Sequence, residues 1–206
     1  MNPDNLERSG GMSGFLRLFI ALAVPPEVRR EIARAQDQLR RRSPPGAVRW
    51  TQPEQFHVTL KFLGDVPAAE VEALNTAVAA ACAGFPALKL CARGVGFFPN
   101  ADRPRVLWAG AEDDGGRLAG LHRRLEEAVG RFAPPEKPER FSGHITLGRF
   151  KPGHLGSLAD LRERAARLRD RPFGGWPSGG VELVRSELTA DGARHTVWAT
   201  FPLGPG

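Results

Sequence analysis

A degenerate internal repeat constrains the fold of this chain more than any other feature of its 206-residue sequence. Segment 53–62 reads Pro-Glu-Gln-Phe-His-Val-Thr-Leu-Lys-Phe, and segment 138–150 reads Pro-Glu-Arg-Phe-Ser-Gly-His-Ile-Thr-Leu-Gly-Arg-Phe. The second copy differs by the insertion of Ser142 and Gly143 before its histidine. One His-x-Thr tripeptide arises easily by chance, whereas two copies with shared flanks do not. The repeat therefore predicts two related strands with related roles.

The spacing within each copy predicts which side chains share a face. Side chains alternate between the two faces of a strand, so His57 and Thr59 point one way and Val58 and Leu60 the other. The same alternation holds for the second copy, which contains His144, Ile145, Thr146 and Leu147. If the two strands are neighbours, two imidazoles and two hydroxyls converge on one cleft.

Such a cleft suits the hydrolysis of a phosphodiester. Imidazole exchanges a proton near neutral pH, and the reaction needs a base for water and an acid for the leaving oxygen. His57 and His144 would supply both without a metal, while Thr59 and Thr146 donate hydrogen bonds to the non-bridging oxygens. We expect the imidazole nitrogens to lie about 6–8 Å apart, two hydrogen-bond lengths of roughly 3 Å around one phosphate.

Hydrophobic periodicity predicts alternating strands and helices along the chain. Four amphipathic helices are expected, with apolar stripes that begin at Val28, Val71, Leu118 and Leu158. Strands are expected at about 15–24, 47–50, 56–63, 87–97, 104–110, 142–150, 180–189 and 194–203.

This order of elements favours an α+β fold. Asp191-Gly192 is a strong hairpin signal between the last two strands. Hairpins mixed with helices indicate mixed sheets rather than a doubly wound parallel sheet. We expect a single domain over residues 14–206, preceded by a disordered tail over residues 1–13.

Several classes of protein are disfavoured by what the sequence lacks. The apolar run 15–24 is interrupted by Arg17 and is too short to cross a bilayer, and no other stretch could cross one. Neither GxGxxG nor GxxxxGKS/T occurs, and the five histidines show no zinc-ligand spacing. We therefore expect no membrane span, no cofactor and no metal.

Charge and cysteine content add weaker indications. The net charge of +6 and the pI near 10.3 favour a polyanionic partner. Most of the basic residues are arginines, which suit bidentate phosphate contacts, although a GC-rich genome would also enrich arginine. Cys82 falls on the apolar stripe of a helix, and two thiols without a CxxC motif fit a reducing cytoplasm.

The paired motifs resemble those of the two-histidine (2H) phosphoesterase superfamily, in its branch of RNA 2′,3′-cyclic phosphodiesterases, also called 2′-5′ RNA ligases. The similarity covers nearly the whole chain. Besides the two His-x-Thr segments, it includes segment 17–21, Trp50, Phe98-Pro99, segment 104–108 and the strand that contains Ser186.

The resemblance implies a bilobal, pseudo-two-fold fold in which two sheets, flanked by helices, surround a central cleft. It implies that His57 donates a proton to the leaving 3′-oxygen and that His144 is the base that activates water. The product would be a 2′-phosphate end, and reversible 2′-5′ ligation would accompany hydrolysis. It also implies that Arg149 contacts the phosphate.

Strict alternation conflicts with that role for Arg149. It turns Arg149 away from His144 and places Lys61 on the face of His57, as a second candidate substrate-binding residue. We favour a bulge at Gly148 that turns Arg149 inward. The sequence also departs from the family pattern, because Gly143 replaces the usual proline and a tyrosine common near His195 is absent.

The remaining histidines have simpler interpretations. His122 lies beside the apolar stripe of the third helix, which is typical of a satisfied residue at the edge of the core. His154 falls in a Gly/Pro loop, where we expect it to be solvated. His195 belongs to the last hairpin, and we expect it to lie outside the cleft.

Three functions remain open from the sequence. The first is hydrolysis of RNA ends that carry a 2′,3′-cyclic phosphate, by a cytoplasmic monomer. The second is hydrolysis of small cyclic phosphates or 2′-5′-linked oligonucleotides. The third is RNA binding without catalysis, which the two intact motifs disfavour. An RNA enzyme should bind its substrate more weakly as salt rises, because phosphate contacts release counterions.

Overall fold

The computed structural model describes residues 14–113, 115–133, 141–152, 158–189 and 192–204. The predicted N-terminal tail, His154 and Asp191 lie outside these ranges.

Nine strands and four α-helices make up the described part of the chain. The strands are β1 (Phe15–Ala23), β2 (Val48–Trp50), β3 (His57–Pro67), β4 (Leu88–Phe98), β5 (Val106–Asp113), β6 (His144–Phe150), β7 (Pro172–Ser178), β8 (Gly180–Thr189) and β9 (Gly192–Pro202). The helices are α1 (Pro26–Arg40), α2 (Val71–Cys82), α3 (Arg117–Val129) and α4 (Ala159–Arg167).

The predicted α+β class and its eight strands and four helices are confirmed. Strand β7 is the element that periodicity missed, because its sequence Pro-Phe-Gly-Gly-Trp-Pro-Ser contains residues that usually mark turns. It nevertheless pairs with β4 and buries Phe173 and Trp176. The C-terminal hairpin of β8 and β9 is also confirmed, and its register ends at Thr189 and Gly192.

The strands form one antiparallel sheet of two halves rather than two separate sheets. Its order is β7-β4-β5-β6-β3-β1-β8-β9, with β2 paired to the end of β6. We call β3-β1-β8-β9 the first half and β7-β4-β5-β6-β2 the second half. The two halves meet between β3 and β6, where the register joins Val58 to Ile145. The two halves on either side of this seam correspond to the two predicted lobes.

All four helices cover one face of this sheet. Helices α2 and α3 pack on each other and lie against β9 and β3, while α1 and α4 lie against β7 and β4. Each helix turns the predicted apolar stripe inward, as α1 does with Val28, Ile32, Ala35 and Leu39. The core therefore lies on the helix-covered side of the sheet. We call the opposite side, which none of these helices covers, the cleft face.

The two repeat strands share a further feature, a β-bulge four residues into each motif. In β3, Ile20 of β1 pairs with Lys61 and Ala21 pairs with Thr59, which leaves Leu60 as the extra residue. In β6, the register with β5 skips Leu147. Because a bulge reverses the alternation of faces beyond it, positions 61 and 148 point to the core side and positions 62 and 149 to the cleft face.

Gly143 shows how closely the chain packs at the second motif. A Cβ atom there would clash with the carbonyl oxygen of Ala111 and would lie 2.7 Å from Leu118 Cδ2. The same backbone segments are joined by a hydrogen bond of 3.0 Å from Ala111 N–H to the Gly143 oxygen. The family's usual proline would not fit this backbone, so the close approach explains the departure.

We expect Gly143→Ala to lower the free energy of unfolding by about 1–3 kcal/mol, because β5 must move away from the new methyl group. Denaturant unfolding measures the change. Gly130→Ala is the matched control, since nothing lies within 4 Å of its Cβ position and its φ of −55° suits alanine. Equal stability of the two variants would contradict the close approach at Gly143.

Candidate active site

The two His-x-Thr motifs face each other across the seam of the sheet. The antiparallel pair of Val58 and Ile145 places His57 opposite Thr146, and Thr59 opposite His144. Val58 and Ile145 are fully buried, while the four polar residues are half-buried on the cleft face. The two histidines are diagonal neighbours, for which a separation of about 7–8 Å is usual. The structure therefore brings together all four residues that the repeat predicted.

His57 is held by an aromatic cluster and by its own backbone. Its ring lies 4.8 Å from the Phe19 ring and 5.4 Å from the His195 ring, measured between centroids. Its Nδ1 lies 2.7 Å from the carbonyl oxygen of Gln55. Phe19 belongs to a small buried cluster with Ala21 and Val184, which forms the floor of the cleft face in the first half.

His144 is held in the same way in the second half. Its Nδ1 lies 2.8 Å from the carbonyl oxygen of Ser142, and its ring meets that of Phe98 edge-on at 4.9 Å. Phe98 in turn packs on Trp108 at 5.1 Å. Each imidazole thus rests on a phenylalanine and bonds to the carbonyl two residues before it.

These carbonyl contacts fix the tautomer of both rings. A carbonyl oxygen only accepts hydrogen bonds, so Nδ1 of His57 and of His144 carries the proton and donates it. In the neutral ring, Nε2 then keeps its lone pair. Each ring therefore offers Nε2 for proton exchange with a ligand in the cleft.

Burial favours the neutral form of both rings. Desolvation lowers the pKa of His57 from 6.5 to about 4, opposed by the bond to the Gln55 carbonyl and assisted by His195, His144 and Arg149. Desolvation also lowers the pKa of His144, opposed by the Ser142 carbonyl and assisted by Arg149. Arg149 thus lies close enough to both rings to act on them electrostatically.

The bulge at Leu147 resolves the conflict over Arg149. It turns Arg149 to the cleft face, where the side chain is exposed, as the favoured alternative predicted. Directly across the β2–β6 pair lies Arg49, which no sequence signal had singled out. Burial and the neighbouring charge of Arg49 lower the pKa of Arg149.

The prediction that Lys61 lines the cleft is wrong. The bulge at Leu60 turns Lys61 to the core side, where the residue is 3% exposed. Its Nζ lies 2.8 Å and 2.9 Å from the two carboxylate oxygens of Glu126 on α3. Strict alternation failed here because the sequence shows the bulge only through Gly148 of the second copy. Phe62 takes the cleft-face position that Arg149 occupies in the second half, and it is 53% exposed.

The expectation for His195 is also wrong. Its ring lies 5.4 Å from His57 and 5.0 Å from Phe19, so it lines the cleft. Burial lowers its pKa. Its strand β9 is paired with β8, which brings a residue distant in sequence beside the first motif.

His122 matches its interpretation as a residue at the core edge. Its ring stacks on Phe141 with centroids 4.1 Å apart, and its Nε2 lies 3.6 Å from Glu126.

A cavity of about 260 Å³ opens beside His57 in the first half. Phe19, Val184, His195 and Val197 form its apolar side, and Arg29, Glu54, Gln55 and Glu182 supply polar groups. Desolvation raises the pKa of the Glu182 carboxyl, partly offset by Arg29. A volume and lining of this kind suit a small organic group attached to the reacting phosphate.

The described residues hold neither a metal-binding cluster nor a helix that could span a membrane. No group of three or more His, Cys, Asp and Glu side chains in those ranges could hold a metal ion. None of the described helices is long and apolar enough to cross a membrane.

Comparison with known proteins agrees with this geometry. Residues 22–108 match the family model described as LigT-like phosphoesterase, a stretch that includes the first motif. An RNA 2′,3′-cyclic phosphodiesterase of Thermus thermophilus is 37% identical, over 91% of this chain and 90% of its own. A protein of the same name from Methanothermobacter thermautotrophicus is 32% identical, over 91% and 99%. The chain belongs to the LigT-like phosphoesterase family.

Solved structures of this family share the fold. The crystal structure of TT0787 of Thermus thermophilus matches with a TM-score of 0.74 and 32% identity, over 92% of this chain and 99% of that one. E. coli LigT complexed with phosphate matches with a TM-score of 0.69 and 25% identity, over 93% and 99%. Both matches span the two halves of the sheet and therefore both motifs.

We expect His57 to titrate near pH 4 in the free protein and at higher pH with phosphate bound, because an anion stabilises the imidazolium. NMR titration of labelled histidines with and without phosphate measures both values. Since the folded pKa lies below the unfolded one, stability should also rise with pH from about 4 to 6.5. An ordinary pKa for His57 in the free protein would contradict its burial.

Proposed function

We propose that this chain is an RNA 2′,3′-cyclic phosphodiesterase that opens the terminal ring to a 2′-phosphate end by metal-independent acid–base catalysis. The observation that carries the proposal is the pair of Nδ1-anchored imidazoles on either side of the seam, with Arg149 in electrostatic contact with both. The names of the curated relatives support the substrate.

In the proposed reaction, water attacks phosphorus opposite the 3′-oxygen. His144 accepts a proton from the water at Nε2, and His57, protonated at Nε2, donates one to the departing 3′-oxygen. The P–O3′ bond breaks as the new P–O bond forms, so the phosphate stays on the 2′-oxygen. The same steps with an RNA 5′-hydroxyl in place of water join the 5′-oxygen to phosphorus, release the 3′-hydroxyl and so give 2′-5′ ligation.

The low pKa of His57 agrees with this role once the substrate is present. At neutral pH the ring is mostly neutral when no anion lies beside it, because burial disfavours the imidazolium. The cyclic phosphate brings a negative charge that favours the imidazolium and so supplies the acid. Thr59 and Thr146 would donate to the non-bridging oxygens, and Arg149 would balance the charge that develops on them.

Of the two other functions, one uses the same geometry and one does not need it. Hydrolysis of small cyclic phosphates would use the same histidines, and the cavity of about 260 Å³ beside His57 would hold such a molecule. A non-catalytic RNA-binding role would not need both imidazoles positioned with Nε2 free. The monomeric state, the cytoplasmic location and the domain bounds 14–206 stay predictions.

We expect His57→Ala and His144→Ala each to lower kcat by about 10²–10⁴-fold on an oligonucleotide with a 2′,3′-cyclic phosphate end, assayed in EDTA. His122→Gln is the matched control, because His122 stacks on Phe141 away from the cleft. Circular dichroism establishes that the variants are folded. Substantial activity in either cleft variant would refute the mechanism.

An aryl phosphodiester substrate distinguishes the histidine that acts as the acid from the one that acts as the base. A nitrophenolate leaves without a proton, so loss of the acid should matter little with this substrate, whereas loss of the base should matter as before. We therefore expect the activity of His57→Ala, relative to the wild type, to be much higher on the aryl substrate than on RNA. The relative activity of His144→Ala should be equally low on both substrates. The opposite pattern would reverse the two roles, and equal losses on both substrates would remove the distinction.

A further inference from the structure

Arg49 and Arg149 form a pair of like charges on the cleft face. They are directly opposite in the β2–β6 register, where side chains of neighbouring strands have Cβ atoms about 4.5–5.5 Å apart. Both side chains are exposed on this face, while their neighbours Val48 and Phe150 point to the core. Two positive charges in this position repel each other and lower stability unless an anion lies between or beside them.

Neither guanidinium is neutralised by a side chain of the described residues. Across the described ranges, no carboxylate forms an ion pair with Arg49 or Arg149, and neither side chain makes a hydrogen bond there. Other exposed arginines of the chain do have such partners, as Arg17 has in Asp65 and Arg194 in Glu187. The pair therefore keeps its full hydrogen-bonding capacity for a ligand.

The two arginines lie at different distances from the chemistry. Arg149 is on the cleft face and acts electrostatically on both catalytic imidazoles, which places its charge beside the proposed position of the reacting phosphate. Arg49 acts on Arg149 and lies across the β2–β6 pair from it, further along β6 than the residues of β3 that pair at the seam. A second anion bound at Arg49 would therefore be adjacent to the first and further from the histidines.

We propose that Arg49 binds the phosphodiester that links the terminal nucleotide of the RNA to the one before it, while Arg149 binds the terminal phosphate. The proposal rests on the proposed RNA substrate and deepens it, because a cyclic mononucleotide has no such phosphodiester. Arg49 would thus be a residue that distinguishes RNA ends from small cyclic phosphates. A guanidinium suits this contact, since it donates two parallel hydrogen bonds to phosphate oxygens.

Equilibrium binding tests the proposal without turnover. The two ligands are adenosine 2′-phosphate and the dinucleotide ApA with a terminal 2′-phosphate, measured by calorimetry on the wild type and on Arg49→Ala. The preference is the ratio of the affinity for the dinucleotide to the affinity for adenosine 2′-phosphate. We expect this ratio to fall by about tenfold in the variant, which corresponds to the loss of one charged hydrogen-bonding contact. The affinity for adenosine 2′-phosphate should not change. The salt dependence of dinucleotide binding should weaken by about 0.7 in log–log slope.

Arg30→Ala is the matched control, because it removes the same charge from an exposed position of α1, on the helix-covered side of the sheet. A preference that persists in Arg49→Ala, an equal loss for both ligands, or an equal effect of Arg30→Ala would each overturn the proposal. If the binding pattern holds while the wild type fails to open cyclic ends, the proposed function is wrong and the role of Arg49 stands.

Discussion

The pairing of Val58 with Ile145 is the contact on which the rest of the site depends. It joins two halves of a sheet that are otherwise built from separate parts of the chain. Both side chains are fully buried, so a slip of one residue would expose them and bury the histidines. Burial of two aliphatic residues thus fixes the register that sets His57 and His144 on opposite sides of the same seam.

Both halves of the sheet support their catalytic histidine in the same way. Each imidazole is oriented by a carbonyl two residues earlier and supported by a phenylalanine ring, and each strand bulges four residues into its motif. On the cleft face the symmetry ends two residues after the bulge, at Phe62 in the first half and Arg149 in the second. The second half therefore carries Arg149 at this position, and Arg49 of β2 adds a second positive charge across the β2–β6 pair.

Much of this arrangement could be predicted from the sequence. The repeat predicted the four polar residues of the cleft, and periodicity predicted every strand except β7. The side of the sheet on which Lys61 lies was predicted wrongly, because nothing in the local sequence indicates the bulge before it. In the second copy, Gly148 indicated the matching bulge. The role of Arg49 and the cleft position of His195 could not be predicted, since β2 pairs with the distant β6 and the β8–β9 hairpin joins the site through pairing of β8 with the distant β1. Such pairings depend on the tertiary fold rather than on any local pattern.

The central claim is that two imidazoles share one anion, and a crystal structure of the protein soaked with inorganic phosphate tests it most directly. The account predicts a single phosphate whose separate oxygens lie about 2.7–2.9 Å from Nε2 of His57 and from Nε2 of His144. A phosphate bound to one imidazole alone, or two phosphates bound in separate places, would contradict it.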